Sequence, residues 1–127
     1  MRIAVVDDIA KERTLLLKRL KKQFADHNVL VDFSEYENGE DFLKAAEKNS
    51  FTVAFLDIYM TGISGMEAAR ELRKSDQTCL LVFTTTSTDH ALEGFQVRAT
   101  HYLVKPYTED TLSSLVEEIL ARTPKPD

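Results

Sequence analysis

Asp7, Asp8, Asp57, Thr84, Thr85 and Lys105 are the residues of this chain whose types could act together chemically. They stand at the ends of four short, mostly apolar runs: RIAVV before Asp7-Asp8, TVAFL before Asp57, CLLVF before Thr84-Thr85 and HYLV before Lys105. Gathered in one place they would make three carboxylates, one or two hydroxyls and one ammonium. Three close carboxylates repel, and some stay protonated unless a cation joins them. Oxygen-only ligands with room for water favour a hard divalent ion, Mg²⁺. The ammonium and a hydroxyl then have no metal to bind and suit an incoming anion; a phosphoryl group needs donors and positive charge around it. Asp57 is the natural nucleophile of the set, because carboxylates form acyl phosphates.

Taken singly, each residue has an ordinary explanation. Asp8 could cap a helix, Asp57 could cap a turn in the glycine-containing loop that follows, the threonines are good strand residues, and Lys105-Pro106 could simply end a strand. The case for chemistry depends on the elements that carry them. Arg2 to Val6 reads as a buried strand. Ile9 to about Phe24 is helical, with Leu16, Leu17, Leu20 and Phe24 on one face and Lys18, Arg19, Lys21 and Lys22 on a solvated one. Val29 to Tyr36 partly alternates, as an edge strand does. Asn38 offers an N-cap for a helix running to about Lys48. Thr52 to Leu56 is a third strand, and Ser64-Gly65-Met66-Glu67 opens a helix with a capping box that fades near Ser75. Cys79 to Thr85 is a fourth strand, followed by a short helix from about His90 to Gln96 that Gly94 weakens. His101 to Val104 is a fifth strand. Thr108 caps the last helix, whose stripe is Leu112, Leu115, Val116, Ile119 and Leu120.

The pattern is βα repeated five times, with strands that are mostly continuous apolar runs. That predicts an α/β fold with a parallel sheet covered on both faces. In such sheets the ligand site lies beyond the carboxyl ends of the strands, where the six residues fall.

A length of 127 residues allows one domain with a real core. The net charge of -5 argues against direct nucleic-acid contact by this segment. The single cysteine, Cys79, excludes a disulfide framework or a cysteine-based zinc site and suits a reducing, cytoplasmic setting. The chain opens straight into a strand with no signal peptide, and no apolar run reaches membrane-spanning length. His27, His90 and His101 share no metal-ligand spacing and read as structural or surface residues.

Asp7-Asp8 after the first strand, Asp57 after the third, a threonine after the fourth and Lys105-Pro106 after the fifth resemble the receiver domain of bacterial response regulators. The runs LDIYMTGISGMEAAREL and ALEGFQVRATHYLVKPY are similar to receivers of regulators with a LytTR-type DNA-binding domain. The resemblance covers Arg2 to about Arg122, which leaves 123-127 as a linker or tail. It implies a doubly wound, flavodoxin-like (βα)5 sheet of strand order 2-1-3-4-5. It further implies that Asp57 accepts a phosphoryl group from a sensor histidine kinase. Asp8 would bind Mg²⁺, with Asp7 assisting and the backbone carbonyl of Tyr59 completing the protein ligands. Thr85 would be the switch hydroxyl, Lys105 the counter-charge, Tyr102 the switch aromatic, and Pro106 would follow a cis peptide bond. Phosphorylation would reshape the face made by the fourth helix, fifth strand and fifth helix, for a partner or a second copy of the chain. Any DNA contact would come through a C-terminal output domain, with no membrane involved.

The sequence departs from that pattern at Thr61, where many receivers have proline, and at Thr86, where alanine is common. The first departure is expected to loosen the loop without removing chemistry. Thr86 and the large Tyr59 are expected to slow water attack on the acyl phosphate. Two other readings compete: a Mg-dependent phosphohydrolase with an aspartyl nucleophile, and a degenerate receiver that only binds proteins. The first usually needs an Asp-x-Asp pair, and here Asp57 is followed by Ile58-Tyr59. The complete acidic set with Lys105 argues against the second.

Overall fold

Five parallel strands form one sheet in the order β2-β1-β3-β4-β5. They are β1 (Arg2–Val6), β2 (Asp32–Tyr36), β3 (Val53–Asp57), β4 (Leu80–Thr85) and β5 (His101–Val104). The computed structural model describes residues 1–86 and 96–123. Four helices are present among these: α1 (Ala10–Asp26), α2 (Gly39–Lys48), α3 (Gly65–Arg73) and α4 (Glu109–Arg122), the last being the fifth expected from the sequence. Apart from Gln96, the predicted helix from His90 lies outside the described residues, as does 124–127 of the tail.

Side-chain alternation along the strands splits the core into two layers. Ala4, Val6, Ala54, Leu56, Leu81 and Phe83 meet Phe42 of α2 and Met66, Ala69 and Leu72 of α3. Ile3, Val5, Val53, Phe55, Val82 and Leu103 meet Leu16, Leu20 and Phe24 of α1 and Leu112, Leu115, Val116 and Ile119 of α4. β3 is buried at every position, which is why its sequence does not alternate. Each Val, Leu, Ile, Phe or Met side chain among these contributes about 1.5–3 kcal/mol on leaving water. The two layers therefore hold the strand order far more firmly than any single polar contact.

Local signals set the element ends. The Asn38 side chain accepts from the Asp41 N–H (2.7 Å), and the Thr108 hydroxyl accepts from the Thr111 N–H (3.1 Å). β2 is shorter than expected because the strand it pairs with begins at Arg2, opposite Asp32. Val29 and Val31 precede the ladder and pack against the core, while Leu30 is 93% exposed. Arg19 leaves the solvated face assigned to it: it pairs with Glu109 of α4 (3.2 Å) and lies over the Tyr107 ring. His27 Nδ1 lies 2.8 Å from the Gln23 carbonyl, and His101 pairs with Glu118 (3.3 Å); neither belongs to a metal cluster. No described helix is long and apolar enough to cross a membrane.

Candidate functional site

The ladder carries the chemical residues to one edge. Asp57 ends β3 opposite Thr84, and the next amide, Ile58 N–H, donates to the Thr84 carbonyl (3.2 Å). Asp7 N–H donates to the Tyr36 carbonyl (3.1 Å), and Lys105 N–H to the Thr85 carbonyl (2.7 Å). Val5, Phe55, Val82 and Leu103 all face the α1/α4 layer. Two residues further on, Asp7, Asp57, Thr84 and Lys105 leave the sheet on that same side. Thr85 follows Phe83 onto the other side, where Phe83 packs against Tyr102 with ring centroids 5.5 Å apart. The predicted switch pair therefore shares one face, and Thr85 is buried beside the strand that carries Asp57.

Lys105 Nζ lies 3.1 Å from Asp7 Oδ2, 3.8 Å from Asp57 Oδ2 and 3.8 Å from Glu12 Oε2. Asp7 and Asp57 are almost fully buried, at 4% and 5% exposure, while Asp8 sits nearer the surface. Burial pushes the Asp57 carboxyl up to about 7. The Lys105 charge and the Tyr59 N–H bond oppose that rise, and the neighbouring Asp7 adds to it. For Lys105, burial works against the ammonium, but Asp57, Asp7 and Glu12 outweigh it and hold it above its ordinary value. The Thr61 N–H bond is the largest influence on Asp8 and helps hold it below the usual carboxylate range.

Asp7, Asp8 and Asp57 each offer an oxygen, and these atoms all lie within 4.8 Å of one another. Opposed ligands of an octahedral Mg²⁺ are separated by about 4 Å, and the ion favours a few carboxylates with several waters. The donor set fits such an ion in chemistry and spacing.

The loop after β3 is held on several sides. Gly65 N–H donates to the Ile58 carbonyl (2.9 Å), and a Cβ at Gly65 would fall 2.1 Å from the Asp57 carbonyl oxygen. Ser64 and Glu67 form the expected capping box. Gly62 takes φ +81°, the left-handed region that favours glycine. Thr61 reverses the expectation placed on it. Its N–H and hydroxyl both donate to Asp8 Oδ2, at 3.0 and 2.9 Å, so it ties the loop down where a proline could donate neither bond. Asp8 is consequently engaged with this loop and is no helix cap; the N-cap of α1 is Ile9, which makes no side-chain cap bond.

Sequence reasoning missed two other supports. Arg13 donates to the Asp7 carbonyl (2.8 Å) and pairs with Glu35 (2.8 Å), bracing the end of β1 against β2. Glu12 is the third carboxylate on Lys105. Both lie in the first turns of α1, and the residue pattern gives no sign that they turn toward the sheet edge. Tyr59 is 54% exposed, and exposed Thr86 lines a cavity of about 360 Å³ with Lys105, Pro106 and Tyr107. The Lys105-Pro106 bond is cis, as expected. Cys79 is buried, which pushes its thiol up to about 12, in keeping with a packing role.

Asp57 has a consequence for stability. Its folded pKa lies above its unfolded one, so its contribution is fully present below about pH 4 and is lost as pH rises through about 7. Metal-free protein is expected to lose Tm across this window by thermal denaturation, and saturating Mg²⁺ is expected to flatten the loss.

The comparisons with known proteins agree with this geometry. The family profile of the response regulator receiver domain matches residues 3–117. The chain belongs to this family: it is the receiver domain of a two-component response regulator, a signalling phosphoacceptor class. It is 30% identical over 113 residues to the sensory transduction protein LytT of Oceanobacillus iheyensis, covering 87% of this chain and 46% of that protein. It is 33% identical over 120 residues to the positive alginate biosynthesis regulatory protein of Pseudomonas aeruginosa, covering 93% of this chain and 46% of that one. The chain thus spans about half the length of these relatives. Among solved structures, the response regulator TrrA of Thermotoga maritima in complex with Mg(2+)-BeF superposes with TM-score 0.79 at 32% identity, covering 93% of this chain and 97% of that one.

Proposed function

We propose that this receiver takes a phosphoryl group on Asp57 from the phosphohistidine of a sensor histidine kinase, in a Mg²⁺-dependent transfer. The observation that supports it best is the meeting of Asp57 with Asp7, Asp8 and Lys105 at the carboxyl edge of the sheet. In the transfer the phosphorus–nitrogen bond breaks, a phosphorus–oxygen bond to Asp57 forms, and the released imidazole takes up a proton. A Mg²⁺ held by Asp7, Asp8, Asp57 and the Tyr59 carbonyl would keep Asp57 ionised and balance the phosphoryl oxygens. Lys105, already 3.8 Å from Asp57, supplies the charge that pairs with the acyl phosphate.

The added charge, about two units by analogy with ester phosphates, then draws the Thr85 hydroxyl toward Asp57. Tyr102, on the same face as Thr85, turns into the vacated space. The surface around β5 and α4 changes shape for a partner or a second copy of the chain. The relatives are about twice as long, and some are named as transcriptional regulatory proteins. Those names support transcription as the output; on our reading it passes through a C-terminal DNA-binding domain of the LytTR type, in the cytoplasm. On this reading the domain catalyses only its own phosphorylation and dephosphorylation. Tyr59 and Thr86, exposed at the site, restrict the path of water to the acyl phosphate.

Incubation with Mg²⁺ and acetyl phosphate, followed by intact mass measurement, tests this reading. One phosphoryl adduct per chain is expected, lost on chelation of the metal. Its decay is expected to quicken several-fold in Tyr59→Ala and Thr86→Ala. Repeated turnover of phosphate esters would favour the phosphohydrolase instead, and absence of any adduct would favour a protein-binding module.

A further inference from the structure

We infer that Thr61 is the positioning residue for Asp8: its N–H and hydroxyl hold one carboxylate oxygen and leave the second to a cation. The inference rests on the reading of Asp7, Asp8 and Asp57 as a Mg²⁺ site, and concerns a residue outside the ligand set.

Asp8 needs such support more than its neighbours do. Asp7 is buried, accepts from the Ile9 N–H (2.9 Å) and pairs with Lys105 (3.1 Å). Asp57 is buried at the end of a central strand. Asp8 is more exposed than either and lies on the β1–α1 connection, just before a helix start that lacks a side-chain cap. Unheld, its carboxylate would sample several rotamers, and ordering it on binding would weaken the cation's affinity. Thr61 removes that freedom beforehand. Two donors from one residue meet on Oδ2, at 3.0 and 2.9 Å. Only threonine or serine combines a backbone N–H with a hydroxyl at this reach.

The clamp is useful because the loop behind it is fixed. Ile63 N–H donates to Glu40 of α2 (3.4 Å), Ser64 and Glu67 close the capping box, and Gly65 is pressed against the Asp57 backbone. Thr61 thus joins Asp8 to the segment that directly follows Asp57. Hydrogen bonds that orient ligating carboxylates are worth roughly 10–100-fold in metal affinity.

The test is titration with MgCl₂ alone, followed by calorimetry or by tyrosine emission, since the chain has no tryptophan and Tyr59 adjoins the site. Thr61→Val, which keeps the N–H and the branched shape but loses the hydroxyl, is expected to weaken Mg²⁺ binding about tenfold. Thr61→Ala is expected to follow it, and Thr61→Ser to stay close to the wild type. The metal-free urea midpoint is expected to fall only modestly in Thr61→Val and Thr61→Ala, because the N–H bond to Asp8 remains. A loss of Mg²⁺ affinity in variants that are still fully folded under the titration conditions separates this role from general loop support. Equal or tighter binding by Thr61→Val and Thr61→Ala would overturn the inference, because the bond would then be indifferent to the ion or compete with it. Failure of Thr61→Ser to retain affinity would overturn it as well. If wild-type protein itself binds no Mg²⁺, the metal-site reading falls and takes the inference with it; equal binding by all the proteins removes the inference alone.

Discussion

Asp57→Asn is expected to take up no phosphoryl group from acetyl phosphate or a kinase, and to be more stable than the wild type without metal at pH 7.5. The first effect follows from chemistry: an amide oxygen does not form an acyl phosphate under these conditions. The second follows from burial. At that pH the Asp57 charge is held at 5% exposure between Asp7 and Lys105, in a site that pushes its carboxyl up to about 7. Asparagine removes the charge and leaves the shape. Lys105 is not orphaned by the change, because Asp7 at 3.1 Å and Glu12 at 3.8 Å remain beside it. The gain is expected on the order of 1–3 kcal/mol, or a Tm rise of about 5–10 °C. It should shrink toward pH 5, where the native carboxyl is already protonated. Parallel thermal melts at the two pH values measure it; an unchanged or lower Tm at pH 7.5 would contradict the electrostatic account of the site.

Gly65→Ala is expected to be the most damaging single methyl addition at the site. Its Cβ would fall 2.1 Å from the Asp57 carbonyl oxygen and 2.8 Å from the Asp57 carbonyl carbon, both backbone atoms of a buried central strand. Gly39 offers a contrast: its Cβ would meet side-chain atoms of Ile63, Cγ1 at 2.8 Å and Cδ1 at 2.9 Å, rather than backbone. At Gly65 either α3 or the end of β3 must move. Overpacking commonly costs about 1–3 kcal/mol, and a backbone clash lies at or above the top of that range. A Tm loss of about 10 °C is expected. Because the shift falls on the backbone of Asp57, the proposed phosphoacceptor, phosphorylation of the folded fraction is expected to slow as well. Urea unfolding together with the rate of adduct formation, under conditions where the variant is folded, separates the two effects.

Fold class was legible in the sequence because short apolar runs such as CLLVF, alternating with amphipathic helical stretches, fit strands of a parallel sheet buried on both faces; the strand order came only from the family resemblance. The site was legible for a related reason. Asp57 and Lys105 follow their runs directly, so a parallel sheet must bring them to one edge. Thr85 and Tyr102 needed the register, since one residue of slip would have exchanged the faces of Thr84 and Thr85. What the sequence hid were contacts that no period encodes. Thr61 read as a missing proline, and only the path of the loop shows both of its donors on Asp8. Glu12 and Arg13 read as ordinary polar positions of α1, and the helix start alone decides that they reach Lys105 and the Asp7 carbonyl. Arg19 read as solvated because its partners, Glu109 and Tyr107, lie near the other end of the sequence.

The most direct measurement is the location of the phosphoryl group. Protein treated with Mg²⁺ and acetyl phosphate is reduced with borohydride, which converts an aspartyl phosphate to homoserine, and is then digested and sequenced by mass spectrometry. Conversion at Asp57 alone is the expected result. Conversion at Asp7 or Asp8, phosphate on a histidine, or no conversion at any residue would contradict the assignment of Asp57 as the phosphoacceptor.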